Sequence, residues 1–446
     1  MWLLHTSTFE LRQFPSQPPR YAILSHCWDE SEVTFTDMLD IRHAKTLPGW
    51  LKILFACTVA RNLIEWIWID TCCIDKSSSA ELSEAINSMF AWYRGAAHCL
   101  AYLGDVDASE DPRLMESTFR KSRWFTRGWT LQELIAPPDG TTFSFLSKDW
   151  RLIGNRQRLA VVISAITRID TWVLRRAIGP QRQPSDILGG YSVAKRMSWA
   201  AQRKTTRAED RAYSLMGLFD VNMPVLYGEG GDRAFHRLQL EIIRQFPDHS
   251  IFAWNWPSVR SDPLLNLLPR AASAGPGSRR HRWPPVSKCP LLASSPDNFL
   301  LSADLHSMPS ASLTASLRLP VISFPEFYDT NHGIRIQLPL FPLETSRPES
   351  RIFCAILACY TSTSIGEKDL VGLVLRRQGG AATSFECVGG FHGHTKGHCF
   401  VIDIPREVAD FPWSSRYPGA FDVVGRWRLQ RTRPRIVVHD IYIQKY

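Results

Sequence analysis

Four short apolar runs, at 21–28 (YAILSHCW), 66–71 (WIWIDT), 98–103 (HCLAYL) and 141–147 (TTFSFLS), are separated by long stretches in which apolar residues return at helical spacing. Strands joined through helices cannot pair by tight turns, so this alternation predicts a mainly parallel sheet with helices on both faces, an α/β fold. Between the first two runs Trp50, Ile53, Leu54, Cys57 and Ile64 lie at helical spacing, and after the second Leu82, Ala85, Ile86, Met89 and Tyr93 do the same. Ser78 and Glu81 stand three residues apart, the spacing of a capping box, which starts the second helix just beyond DTCCIDK.

From about residue 156 to 246 the strand pattern gives way to successive helical ones, the last carrying Phe235, Leu238, Ile242 and Phe246 on one stripe. Residues 257–288 are rich in Pro, Ser, Gly and Arg, a composition that disfavours helix and sheet alike. Beyond them, runs such as GIRIQLPL, IFCAILACY and RIVVHDIYI alternate with turn residues and predict a mostly antiparallel β domain. The expected organisation is an α/β domain over 1–155, a helical extension packed on it over 156–256, a linker at 257–288 and a β-rich domain over 289–446.

With 44% hydrophobic and 21% charged residues in 446, most of the chain should fold. No run approaches the roughly 20 apolar residues of a membrane-spanning helix, and the start, MWLLHTSTFELRQF, lacks the basic and long apolar regions of a signal peptide. The ten cysteines fall mostly in apolar segments, as buried thiols of a reducing compartment do, so a cytoplasmic location is expected. The net charge of +9 is scattered among acidic residues, which favours a solvated basic surface over a nucleic-acid partner.

The strings YAILSHCW (21–28), WIDTCCIDK (68–76), SRWFTRGWTLQELIAP (122–137), RMSWAAQRKTTRAEDRAYSLMGLFDVNMPVLYGEG (196–230) and FHRLQLEII (235–243), in this order, resemble the fungal heterokaryon-incompatibility (HET) domain and its downstream extension. One departure is Cys27, where a small hydroxyl residue, usually Thr, stands in the family. The resemblance implies a fold distantly similar to the Toll/interleukin-receptor domain, and a role in non-self recognition that ends in programmed cell death. Several members of that receptor-domain fold cleave NAD at the nicotinamide bond, so NAD is an expected substrate rather than a cofactor. Protein partners or self-association are expected as well.

Ligands of an open parallel sheet bind beyond the carboxyl ends of its strands, where Ser25, His26 and Trp28, and separately Asp70 and Asp75, should lie. There Asp70 or Asp75 could bind ribose hydroxyls and Trp28 could stack on a planar base; equally, the aspartates could cap a turn and the tryptophans pack a core. Neighbouring strand residues face opposite ways, so Ser25 and His26 do not suit a hydrolase triad.

In SRWFTRGWTLQELIAP, Arg123 and Arg127 could hold a pyrophosphate, Trp124 and Trp129 could stack, and Glu133 could stabilise positive charge developing on ribose. Thr130 and Glu133 also have capping-box spacing, which gives the carboxylate a structural alternative. A non-enzymatic signalling module acting by association is the rival functional reading. GEGG at 228–231 lacks the features of a P-loop, Cys72 and Cys73 lack metal-ligand spacing, and the cluster His392, His394, His398 and Cys399 reads as an exposed turn, so no metal is expected.

Overall fold

A computed structural model of the chain describes residues 1–138, 142–175, 188–254, 287–317, 327–344, 352–362, 368–379, 383–392, 395–397, 399–402, 422–423, 427–429 and 437–444. Two compact units are present, one comprising Met1–Gly190 with Gln202–Leu238 and the other Tyr191–Ala201 with Gln239–Tyr446. The helical stretch expected over 156–256 is thus divided between them. The expected linker, 257–288, lies outside the described residues except for Ser287 and Lys288.

The first unit is built on seven strands: β1 (Trp2–His5), β2 (Leu11–Gln13), β3 (Ala22–His26), β4 (Trp66–Trp68), β5 (His98–Tyr102), β6 (Thr142–Leu146) and β7 (Leu152–Asn155). Their order across the sheet is β2-β1-β4-β3-β5-β6-β7. The four central strands, which are the four apolar runs of the sequence, pair in parallel, while β1, β2 and β7 add antiparallel edges. The result is a mixed sheet with a parallel core. Every residue of β3 is buried, as the centre of a covered sheet requires.

Along the chain, β4 forms on one side of β3 and β5 then forms on the other, so the direction of winding reverses at β3. The crevice between the carboxyl ends of β3 and β5 is where such a sheet opens to a ligand. The register pairs Ser25 with Ala101 and His26 with Tyr102, which brings the ends of these two strands level.

Two helices cross over between the strands. Trp50–Ala60 buries Trp50, Ile53, Ala56, Cys57 and Ala60, leaving Leu51 and Phe55 exposed. Ser79–Gly95 buries Ala85, Ile86, Met89, Phe90 and Tyr93, the larger of which each contribute roughly 1.5–3 kcal/mol by leaving water. Ser78 caps this helix by accepting from the Glu81 N–H, but the Glu81 carboxylate reaches past Ser78 to the Asp75 N–H at 3.0 Å, so the loop beyond β4 is closed as well. A Cβ on Gly217 would collide with the Phe90 ring, which is how the turn Met216–Leu218 packs directly against this helix.

In the second unit, Gly333–Glu344 pairs antiparallel with Ile352–Ser362, which pairs with Lys368–Arg377, which pairs with Ser384–His392. Ser384–His392 then joins Val437–Ile443 in parallel, and Val437–Ile443 pairs antiparallel with Gly333–Glu344. The strand circuit closes on itself, with one parallel junction in an otherwise antiparallel set. Helix Val193–Ala200 belongs to this unit: Ser192 donates to the Leu305 carbonyl at 2.6 Å, and Asp248 accepts from the Val193 N–H at 2.7 Å.

Candidate functional site

Ser122 starts the segment that carries Glu133. Its hydroxyl accepts from the Trp124 N–H and donates to Asp105 at 2.7 Å, and the turn Arg123–Thr126 leads into helix Thr130–Ile135, all six of whose residues are buried. Thr130 does not cap this helix. It is the first helical residue, its hydroxyl lies 2.6 Å from the Trp124 carbonyl, and the buried Arg203 donates to it at 3.1 Å. Glu133 does not turn back to the helix start, so the capping explanation of that carboxylate fails.

Instead Glu133 projects into the core, where the Ser25 hydroxyl donates to its carboxylate and the Trp124 indole N–H donates to the Ser25 oxygen at 2.9 Å. Burial pushes Glu133 up to about 8, with Asp70 adding to the rise and bonds from Ser25 and Tyr93 and the charge of Arg127 opposing it. A carboxyl group so placed holds its proton readily and gives it up when positive charge comes near.

His26 points to the other face of β3, as strand geometry demands. Its Nε2 meets Asp70 at 2.9 Å, and the Trp28 indole N–H donates to the other Asp70 oxygen at 2.8 Å. Burial would raise the Asp70 carboxyl, but the His26 bond and charge, Lys76 and Trp28 outweigh it and hold it at about 2. Both carboxylate oxygens are therefore engaged in fixing the two aromatic rings. Lys76 lies 3.8 Å from the centre of the Trp28 ring, and the ring is otherwise 45% exposed. Asp75 bonds the Ser77 N–H and hydroxyl at 2.9 and 2.6 Å, a local turn, while Trp129 bonds Asp210.

An open cleft of about 1180 Å³ lies beside Trp28 and Cys27, at the winding reversal of the sheet. Trp28 and Arg127 line it; Ser25, His26, Asp70, Asp75, Trp129 and Glu133 do not. Cys27 stands two residues beyond Ser25, and burial pushes its thiol up to about 12, so it is neutral and a poor nucleophile. Lys52 pairs with Glu32 and, at 2.7 Å, with Asp29, which also pairs with Arg123. Arg127 bonds the Thr206 hydroxyl at 3.3 Å and has no ion pair among the described residues.

Sequence reasoning missed Lys52, Tyr102 and Trp150 in this lining, and Tyr93 and Arg203 around Glu133. Tyr102 ends β5 and could have been found from the strand-end rule; the others depend on helix faces and a turn conformation that periodicity does not encode.

The glycine-rich turn and the adjacent cysteines have structural roles. Gly228 and Gly230, at φ +98° and +88°, direct their N–H groups to the Glu209 carboxylate at 2.9 and 3.1 Å, so a protein carboxylate occupies this turn. Cys72 and Cys73 are buried thiols. His394 and His398 lie outside the described residues, among which no group of three or more His, Cys, Asp or Glu side chains is disposed to hold a metal. No helix in the described residues is long and apolar enough to cross a membrane.

Residues 21–118 match the family model described as heterokaryon incompatibility protein (HET), and residues 233–370 match that of a domain of unknown function (DUF8212). The vegetative incompatibility protein HET-E-1 of Podospora anserina is 49% identical over 232 residues, which cover 50% of this chain and 16% of that protein. The match therefore spans a small part of the relative's length. No solved structure matches.

Proposed function

We propose that this chain, a fungal heterokaryon-incompatibility domain protein, is an effector of non-self recognition that triggers programmed cell death by cleaving NAD at the nicotinamide bond. It acts in the cytoplasm, through protein partners or self-association, and the order β4-β3-β5-β6 of its parallel strands supports reading the sheet as Toll/interleukin-receptor-like. The observation that carries the chemistry is Glu133, a buried carboxyl with its pKa raised to about 8, tied through Ser25 to the strand end where the cleft begins.

In the proposed reaction the bond from ribose C1′ to the nicotinamide nitrogen breaks, and its electron pair neutralises the positively charged ring. The ribosyl cation left behind is stabilised by the negative charge of Glu133, which lies behind Ser25 rather than in the cleft lining. As positive charge develops, the Glu133 proton leaves by way of the Ser25 hydroxyl to solvent, and it returns after turnover. Water then adds to C1′ and loses a proton to solvent, giving ADP-ribose and nicotinamide. Arg127, with no carboxylate of its own among the described residues, takes the pyrophosphate, and Trp28 offers a ring face.

Purified protein at high concentration should release nicotinamide from NAD, followed by chromatography. Glu133→Gln should release at least about a hundredfold less, as loss of an electrostatic stabiliser does, at a melting temperature no lower than that of wild type near pH 6. No release by folded wild-type protein, clustered or free, would overturn cleavage and leave association alone as the basis of signalling.

A further inference from the structure

The cleft has an aromatic wall that the reaction does not use. Trp150 stacks on Tyr102 with ring centres 4.2 Å apart at 15°, and on Phe55 at 6.2 Å and 25°. All three line the cleft, Phe55 remaining 45% exposed. We propose that this wall is a second ring-binding subsite, which takes the distal base of a dinucleotide while Trp28 faces the other ring and Arg127 the phosphates between them. The inference rests on reading the cleft as a nucleotide site and names what holds the end of the substrate remote from the cleaved bond.

Trp150 sits at φ +60°, in the left-handed region that a bulky side chain avoids. Its turn does not need the ring. The Ser147 N–H donates to the Arg151 carbonyl at 2.9 Å, and the Ser147 hydroxyl accepts from the Asp149 and Arg151 N–H groups at 3.3 and 3.2 Å. Glycine would satisfy the same turn without strain. A strained residue whose side chain is a partly exposed ring in a ligand cleft is placed for that ring.

Two further features fix the kind of ligand. Tyr102 is the last residue of β5 and pairs in register with His26, so the wall stands across the sheet's ligand crevice from the β3 end that carries Trp28. The cleft cations other than Arg127 are engaged: Lys52 and Arg123 by Asp29, and Lys148 by Asp107 at 3.0 Å. An opening of about 1180 Å³ with ring platforms from two strand ends and one cation, Arg127, that has no ion pair among the described residues suits two planar rings joined through phosphates.

Full-length protein titrated calorimetrically with ADP should bind it. Trp150→Gly relieves the backbone but gives up the stacking on Tyr102 and Phe55, so it should remain folded at a somewhat changed melting temperature and bind ADP about tenfold or more weakly, the loss expected for one base stack. Trp150→Phe should retain most of the affinity, Phe55→Ala should weaken it, and binding of nicotinamide mononucleotide should be unchanged in all three. ADP binding that is absent in wild type, or equal in wild type and Trp150→Gly, would overturn the subsite; were Trp150→Gly unfolded, equal binding by wild type and Phe55→Ala would do so. ADP has no nicotinamide bond, so Trp150-dependent ADP binding without nicotinamide release sinks the hydrolase alone. Nicotinamide release with a KM for NAD unaffected by Trp150→Gly sinks the subsite alone.

Discussion

Glu133 places a carboxyl group where water barely reaches, and the cost falls on its charged form. In the unfolded chain it ionises in the usual carboxylate range, whereas in the fold burial keeps it protonated up to about 8. The folded form therefore binds the extra proton across that window. The stability this group lends is complete below the usual carboxylate pKa and is lost as pH rises through about 8. Glutamine mimics the protonated group and carries no such dependence. Scanning calorimetry between about pH 5 and pH 8 should show wild type losing on the order of several degrees of melting temperature relative to Glu133→Gln. Parallel curves would mean that the carboxyl is not held protonated.

Helix Thr130–Ile135 has six residues and no side-chain N-cap, too little to be stable by propensity. It is held from outside at its far end, where the buried Arg156 guanidinium donates to the Leu134 and Pro137 carbonyls at 2.8 and 2.9 Å. Arg156→Met should leave those carbonyls unsatisfied and cost about 2–4 kcal/mol in urea denaturation; a loss below about 0.5 kcal/mol would show that the helix is held by packing alone. Arg156 was not legible in the sequence, because nothing in its own segment marks it as a partner of residues some twenty positions earlier. The four central strands were legible, since each is an apolar run long enough to be a covered strand. The edge strands were not: β2 (LRQ) and β7 (LIGN) are short and half polar, and only pairing makes them strands. Ser25, His26, Asp70 and Glu133 were singled out from their strings, but that Asp70 would spend both oxygens on Trp28 and His26 depends on loop geometry that spacing does not carry.

Across the whole molecule, the expected boundary at residue 256 falls inside the second unit. Within that unit Gln239 exchanges hydrogen bonds with Ala293 at 2.8 and 3.0 Å, Trp254 donates to the Leu291 carbonyl at 2.9 Å, and His249 accepts from the Ala358 N–H at 3.0 Å. A chain ending at 256 would strip these buried groups of their partners. It should be recovered mainly as aggregate, by size exclusion, where the full chain is soluble; a soluble, monodisperse 1–256 fragment would show that the second unit's early segments stand alone. The pairing of Gly128 with Lys204 at 2.8 Å, and of Lys204 with Thr126 at 2.6 Å, carries a consequence for synthesis. These bonds, with Arg203 and Thr206, fasten the segment that bears Arg127, yet they come from residues made after the chain has already laid down part of the other unit. A ribosome that has delivered every strand of the first sheet, the last of which ends at Asn155, has still not delivered the clasp at 203–206, so the order of translation leaves Arg127 to be fastened only by chain made after the sheet's last strand.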